Sequence, residues 1–285
     1  MESKKYIIAD VFTDKPLEGN PVAVFIDATG MDAAIMQRLA KELNLSETTF
    51  IFPSKQGGDF HVRIFTPVNE LPFAGHPTLG TAFILGELTT ANKLVLETAM
   101  GNIPFVLKRA EDGSIVSAEM EQPIPTWEEY ESADILLKGL GLTASTLPIE
   151  IYRNGPRHVF VGLPDVPSLS AIRPDLRVLA ELPDVAVNCF AGSGSQWRMR
   201  MFSPAYGVAE DAATGSAAGP LALHLTRHGY IEFDQWIEIW QGVEMGRKAI
   251  MRARALGSVT QINSICVAGS ACIVARGEFI KWKAS

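Results

Sequence analysis

The sequence repeats itself. Arg-Ile-Phe-Thr-Pro at 63–67 returns as Arg-Met-Phe-Ser-Pro at 200–204, an offset of 137 in a chain of 285 residues. Each copy is followed by a glycine-bearing turn and then a run of small and apolar residues, "FAGHPTLGTAFIL" after the first and "DAATGSAAGPLALHL" after the second. A second match at nearly the same spacing sets "GNPVAVF" from Gly19 against "GPRHVF" from Gly155, with Val24-Phe25 answering Val159-Phe160. A repeat of this length is a folding unit built twice, so two halves of like fold are expected, each with an equivalent glycine turn. Length agrees, since about 150 residues per domain gives two domains. The proline-rich "EQPIPTWEEY", 121–130, is the candidate linker. It divides the chain into 1–125 and 126–285, with the last strand free to stay in the second half or return to the first.

Element patterns point to α+β halves in which strands outnumber helices. "MDAAIMQRLAKEL" places Ile35, Met36, Leu39, Ala40 and Leu43 on one helical face, with Asp32 as candidate N-cap and Asn44 as candidate C-cap. "TTFIFP", "DFHVRIF", "KLVLET", "IPFVLKR", "PIEIYR", "RHVFVGL", "WRMRMF" and "SICVAGSACIVARGEF" read as strands. "EIWQGVEMGR" reads as a hairpin late in the second half.

Candidate chemistry gathers at the glycine turns. In "FAGHPTLGTA", Gly75 offers conformational freedom before His76, and Pro77 suits a first helical turn, where its missing N–H would be unpaired anyway. Such a helix start presents free N–H groups and the positive end of the dipole, a seat for a carboxylate. "EDAATGSAAGPLA" offers Gly215 and Ser216 in the same role beside Asp211. Glu47, in "NLSETTF", is a lone carboxylate entering an apolar strand, which is costly unless it is held or used. Each has a plainer reading: His76 closing a loop, Asp211 capping a helix, Ser216 allowing close packing, Glu47 lying at the surface.

Other chemistries find no support. "HLTRH", His224 to His228, has the spacing of a zinc-binding helix but lacks the glutamate after the first histidine, and both histidines are expected on a helix flank. "GSAAG" is not the serine-hydrolase elbow, and "AGSGSQW" lacks the third glycine and the helix of a dinucleotide fingerprint. Cys189, Cys266 and Cys272 show no ligand or disulfide spacing and read as small apolar residues. A net charge of −7 with no basic cluster argues against nucleic acid and anionic lipid as partners. The start, "MESKKYIIADVF", is neither a secretory leader nor a membrane span, so the expected location is the cytoplasm.

Together, "LEGNPVAVF", "NLSETTF", "RIFTPVNELPFAGHPTLGTA", "NGPRHVFVGLP" and "MFSPAYGVAEDAATGSAAGPLA" resemble the PhzF phenazine-biosynthesis family over nearly the whole chain. The resemblance is nearest to the branch that isomerises trans-2,3-dihydro-3-hydroxyanthranilate. It implies the diaminopimelate-epimerase-like fold: two pseudo-symmetric halves, each a curled, mostly antiparallel sheet around a central helix, with the active site between them. It also implies a homodimer and a cofactor-free, metal-free proton transfer between ring carbons, giving a reactive aminoketone. By motif, Glu47 is the acid/base, while His76, Asp211 and Ser216 bind substrate and Gly75 and Gly215 lend backbone N–H groups. Neither glycine turn carries a cysteine, which disfavours two-thiol epimerisation. The alternatives are a PhzF-like isomerase of another small amino acid, or a binding protein that holds a small anion without turnover.

Overall fold

The computed structural model describes residues 3–282. Strands β1 (Lys4–Val11) and β2 (Asn20–Phe25) precede helix α1 (Ala33–Leu43). Next come β3 (Glu47–Pro53), β4 (Phe60–Phe65), the two-residue β5 (Glu70–Leu71) and α2 (Gly75–Gly86), then β6 (Lys93–Thr98), β7 (Gly101–Arg109) and β8 (Ile115–Gln122). The chain continues through β9 (Thr126–Glu129), α3 (Ala133–Leu140), β10 (Glu150–Arg153), β11 (Arg157–Gly162), α4 (Val166–Ala171) and α5 (Leu176–Ala180). After these run β12 (Ala186–Ser193), β13 (Gln196–Ser203), β14 (Val208–Asp211), α6 (Gly215–Arg227), β15 (Ile237–Gln241), β16 (Ala249–Ser258), β17 (Gln261–Gly269) and β18 (Ala271–Phe279). Two compact units result, one of Met1–Glu121 with Ala268–Ser285 and one of Gln122–Val267.

The duplication is written in the strand pairing. In the first unit β1 pairs antiparallel with β2, β2 parallel with β3, β3 antiparallel with β4, β4 parallel with β6, and β6 antiparallel with β7. In the second, β10, β11, β12, β13, β15 and β16 pair in the same alternation. Each parallel step needs a crossover, and in both units it carries helix: α1, or α4 and α5, at the first, and α2 or α6 at the second. β18 extends the first sheet along β1, from Lys4 opposite Phe279 to Val11 opposite Ala271. β9 extends the second along β10.

Every residue of α2 is buried, and the helix packs against β1, β2, β3, β6, β7 and β18, so the first sheet curls around it. Gly80 allows this closeness: a Cβ there would stand 2.6 Å from Val11 Cγ2 and 2.7 Å from Val22 Cγ1. In the second unit α6 is buried through Thr226 and packs on β11 and β16. The outer faces carry the amphipathic helices. Met36, Leu39 and Ala40 of α1 cover Phe25, Phe50 and Phe65, whereas Leu136, Leu140 and Leu179 of α3 and α5 cover Val159, Val161 and Val187.

Several elements depart from expectation. The segment 121–130 is not a continuous linker: Pro123 and Pro125 lie between β8 and β9, and Thr126–Glu129 is a paired strand. "SICVAGSACIVARGEF" is two strands, broken at Ser270, whose carbonyl accepts from Phe12 N–H. His224 is not on a flank. Its ring is fully buried among Tyr152, Phe160 and Phe190.

Candidate active site

Glu47 is the first residue of β3, in register with Val22 of the parallel neighbour β2. Here α1 has ended on Asn44, whose left-handed conformation turns the chain back into the sheet. The carboxylate is mostly buried, with 16% of its side chain exposed. His76 is the second residue of α2 and is buried. Its Nε2 stands 3.3 Å from Glu47 Oε2 but is turned out of hydrogen-bond geometry. On the far side of the ring, Asn20 Nδ2 lies 3.3 Å from His76 Nδ1, and Asn20 Oδ1 accepts from Ser46 Oγ at 3.1 Å.

Burial pushes the His76 imidazole down to about 3, against a smaller opposing hydrogen bond to the Pro21 backbone. At neutral pH the ring is uncharged, so it does not lock Glu47 into an ion pair. Gly75 is itself helical. It is the first residue of the helix, and the N-cap before it, Ala74, offers no side-chain cap to the open N-terminus.

The equivalent corner of the second unit holds Asp211 and Ser216. Asp211 ends β14, and its Oδ2 accepts from Thr214 Oγ1 at 2.7 Å. Gln241, fully buried on β15, clamps the same turn. Its Oε1 accepts from Thr214 N–H at 3.0 Å, and its Nε2 donates to the Asp211 carbonyl at 2.9 Å and to Thr214 Oγ1 at 3.0 Å. Ser216 is the second residue of α6, the position His76 holds in α2. His158 Nε2 lies 3.1 Å from Ser216 Oγ, Asn154 Nδ2 donates to the Ser216 carbonyl at 2.9 Å, and Gln122 Nε2 donates to the Gly215 carbonyl at 2.8 Å.

The structure thus brings Glu47 together with His76, and Asp211 together with Ser216 at one helix start. Sequence reasoning missed Asn20, Asn154, His158, Thr214 and Gln241. The signal for two of these was available: Asn20 lies in "GNPVAVF" and His158 in "GPRHVF", the second repeated segment.

Glu150, His224 and His228 bring three ligand-type atoms within 4.8 Å of one another. Yet Glu150 Oε2 also accepts from Arg227 Nη1 at 2.7 Å and from the Tyr152 hydroxyl at 2.9 Å. A guanidinium that close opposes a second cation. Nε2 of His224 is also buried without the outer acceptor that a metal-bound imidazole normally finds. The cluster is an ion-pair hub. Burial opposes ionisation of Glu150, but hydrogen bonds from His224, Arg227, His228 and Tyr152 outweigh it and hold the carboxyl well below the usual range.

The family model described as "Phenazine biosynthesis-like protein" matches residues 9–277. A trans-2,3-dihydro-3-hydroxyanthranilate isomerase of Pseudomonas chlororaphis is 59% identical over 275 residues, covering 96% of this chain and 99% of that protein. Among solved structures, a PhzF-family phenazine biosynthesis protein of Bacillus anthracis superposes with a TM-score of 0.85 at 27% identity, covering 99% and 100% of the two chains. A hydroxyproline epimerase of Agrobacterium vitis superposes with a TM-score of 0.66 at 13% identity, over 98% and 91%, and so shares the fold. No helix among the described residues is long and apolar enough to cross a membrane.

Proposed function

The chain belongs to the phenazine biosynthesis-like PhzC-PhzF family, and from that premise we propose that it isomerises trans-2,3-dihydro-3-hydroxyanthranilate by moving a proton between ring carbons through Glu47. The observation that carries the reading is the mostly buried Glu47 carboxylate 3.3 Å from an imidazole that burial keeps neutral. A proton relay on one face of a ring needs a single group that both accepts and returns the proton, and a carboxyl can do both. Identity of 59% to an isomerase named for this substrate supports the choice of ring.

In this reading His76, Asp211 and Ser216 hold the amino, hydroxyl and carboxylate groups of the substrate. The N–H groups at Gly75 and Gly215 stabilise charge as it spreads through the diene. The product is a reactive aminoketone. Assembly as a homodimer in the cytoplasm belongs to the same proposal.

The test is to incubate pure protein with the substrate in heavy water, without added metal or nucleotide. Deuterium at a ring carbon of the product is expected, because a carboxyl that exchanges with solvent delivers the label. Substrate that binds and returns unchanged would leave an anion-binding protein. Turnover of other small amino acids but not of this one would leave a relative with different specificity.

A further inference from the structure

His158, buried on β11, joins that strand to the start of α6 through the 3.1 Å contact between its Nε2 and Ser216 Oγ. Its other nitrogen faces Asn188 of β12, with Asn188 Nδ2 3.5 Å from Nδ1. The orientation of that amide is fixed separately, since Nδ2 donates to the Ala186 carbonyl at 2.9 Å and to the Val159 carbonyl at 3.4 Å. Turned the other way, the amide would set its oxygen against two carbonyl oxygens. With the NH2 group in that corner, a proton on Nδ1 would oppose donor to donor. The neutral ring therefore carries its proton on Nε2, and Nε2–H donates to Ser216 Oγ.

A serine oxygen that accepts from His158 must turn its own hydrogen elsewhere. We infer that His158, oriented by Asn188, is a positioning residue that commits the Ser216 hydroxyl to donating a hydrogen bond to an acceptor atom of the substrate. The inference rests on the proposed role of Ser216 in substrate binding. Burial pushes the imidazole down to about 3, so the donor pattern holds throughout the neutral range. The competing account is a strut, in which His158 only ties β11 to α6.

Steady-state kinetics on Ser216→Ala, His158→Phe, His158→Gln and the double variant Ser216→Ala/His158→Phe separate the two. Phenylalanine fills the ring volume without a donor, and the glutamine amide carries an N–H to about the place of Nε2. His158→Phe should raise KM about tenfold, the scale of one hydrogen bond to an ionised group, with kcat changed less than about threefold. His158→Gln should return KM to within about threefold of wild type. In the Ser216→Ala background His158→Phe should add nothing, because the residue acts through a hydroxyl already removed.

A full His158→Phe effect in that background, or a glutamine variant as impaired as phenylalanine, would establish the strut. Ser216→Ala with wild-type kinetics would instead remove the proposed role of Ser216 and this inference with it, leaving the assignment of Glu47 standing. Nitrogen-15 shifts of the wild-type imidazole give a check that needs no variant to fold. The Nε2-protonated neutral form is expected from pH 5 to 8, and an Nδ1-protonated ring overturns the geometry.

Discussion

Protonation means opposite things for the residues gathered at the two helix starts. Glu47 must gain and lose a proton, so Glu47→Gln, which keeps shape and polarity, should lower turnover at least about a thousandfold, within the range general acid–base groups command. Substrate affinity, read by calorimetry, should stay within about fivefold. Turnover within tenfold of wild type would exclude the relay. His76 and His158 must instead stay neutral: burial pushes both down to about 3, whereas an unfolded imidazole titrates near 6.5. Between those values the unfolded chain binds protons that the folded chain does not, so stability falls as the pH drops through this window. Each such histidine contributes a slope of about 1.4 kcal/mol per pH unit once the unfolded ring is charged.

Carboxylates act lower on the scale. Burial opposes ionisation of Glu97, but the N–H groups of Lys55, Gly58 and Gln56 and the Ser54 hydroxyl bring it down from 4.5 to about 2. The urea midpoint should therefore fall between pH 6.5 and 5, before Glu97 titrates, and fall less steeply in His158→Gln. An unchanged slope in that variant would mean that His158 is not a buried neutral ring. Glu47 and His76 were legible as candidates because each sits oddly in its local pattern, a charge entering a strand and a histidine between glycine and proline. Gln241 and Asn154 were not, because an amide in a strand or turn looks ordinary until the backbone it clamps is known.

Helices reveal themselves in sequence by contrast between faces, and those nearest the candidate site have none. Helix α1, with its apolar stripe, its Asp32 side chain accepting from Ile35 N–H at 2.8 Å and its left-handed Asn44, is legible end to end. Helices α2 and α6 are wrapped on all sides, so their small and apolar runs carry no period, and only the glycine turns before them announced a start. Helices α4 and α5 span six and five residues, too few for a periodic pattern to stand out.

Close wrapping predicts how α2 responds to substitution. In an exposed helix, replacing glycine by alanine stabilises by about 1 kcal/mol through propensity alone. At Gly80 the new methyl would stand 2.6–2.7 Å from Val11 and Val22 side chains, where overpacking costs about 1–3 kcal/mol. Gly80→Ala should thus come out net destabilising despite the better helix former, with a lower urea midpoint at unchanged slope. A raised midpoint would show that β1 and β2 yield more easily than their burial implies.

At the scale of the whole molecule, the half-chain repeat foretold the feature that organises everything else, one alternation of parallel and antiparallel pairings used twice. What it left open was the last strand. A repeat cannot say whether a copy's closing strand stays with its own sheet or joins the other, as β9 at the end of the first half joins β10. The destination of β18 was decided by an open edge. β1 is paired on one side by β2, and without β18 its other side would present a row of unsatisfied N–H and C=O groups on a strand whose Ala9 and Val11 are buried. β18 covers that edge along all eight residues of β1 and also packs on α2, the helix that carries His76. Ending the chain at Gly269 should therefore damage the first unit, although most of its sequence lies more than 140 residues upstream. Limited proteolysis of the truncated protein should cut within 3–121 while 122–267, whose own strands are all retained, survives longer. Equal resistance of both regions would mean that β18 is ornament to the first sheet and not its closing strand.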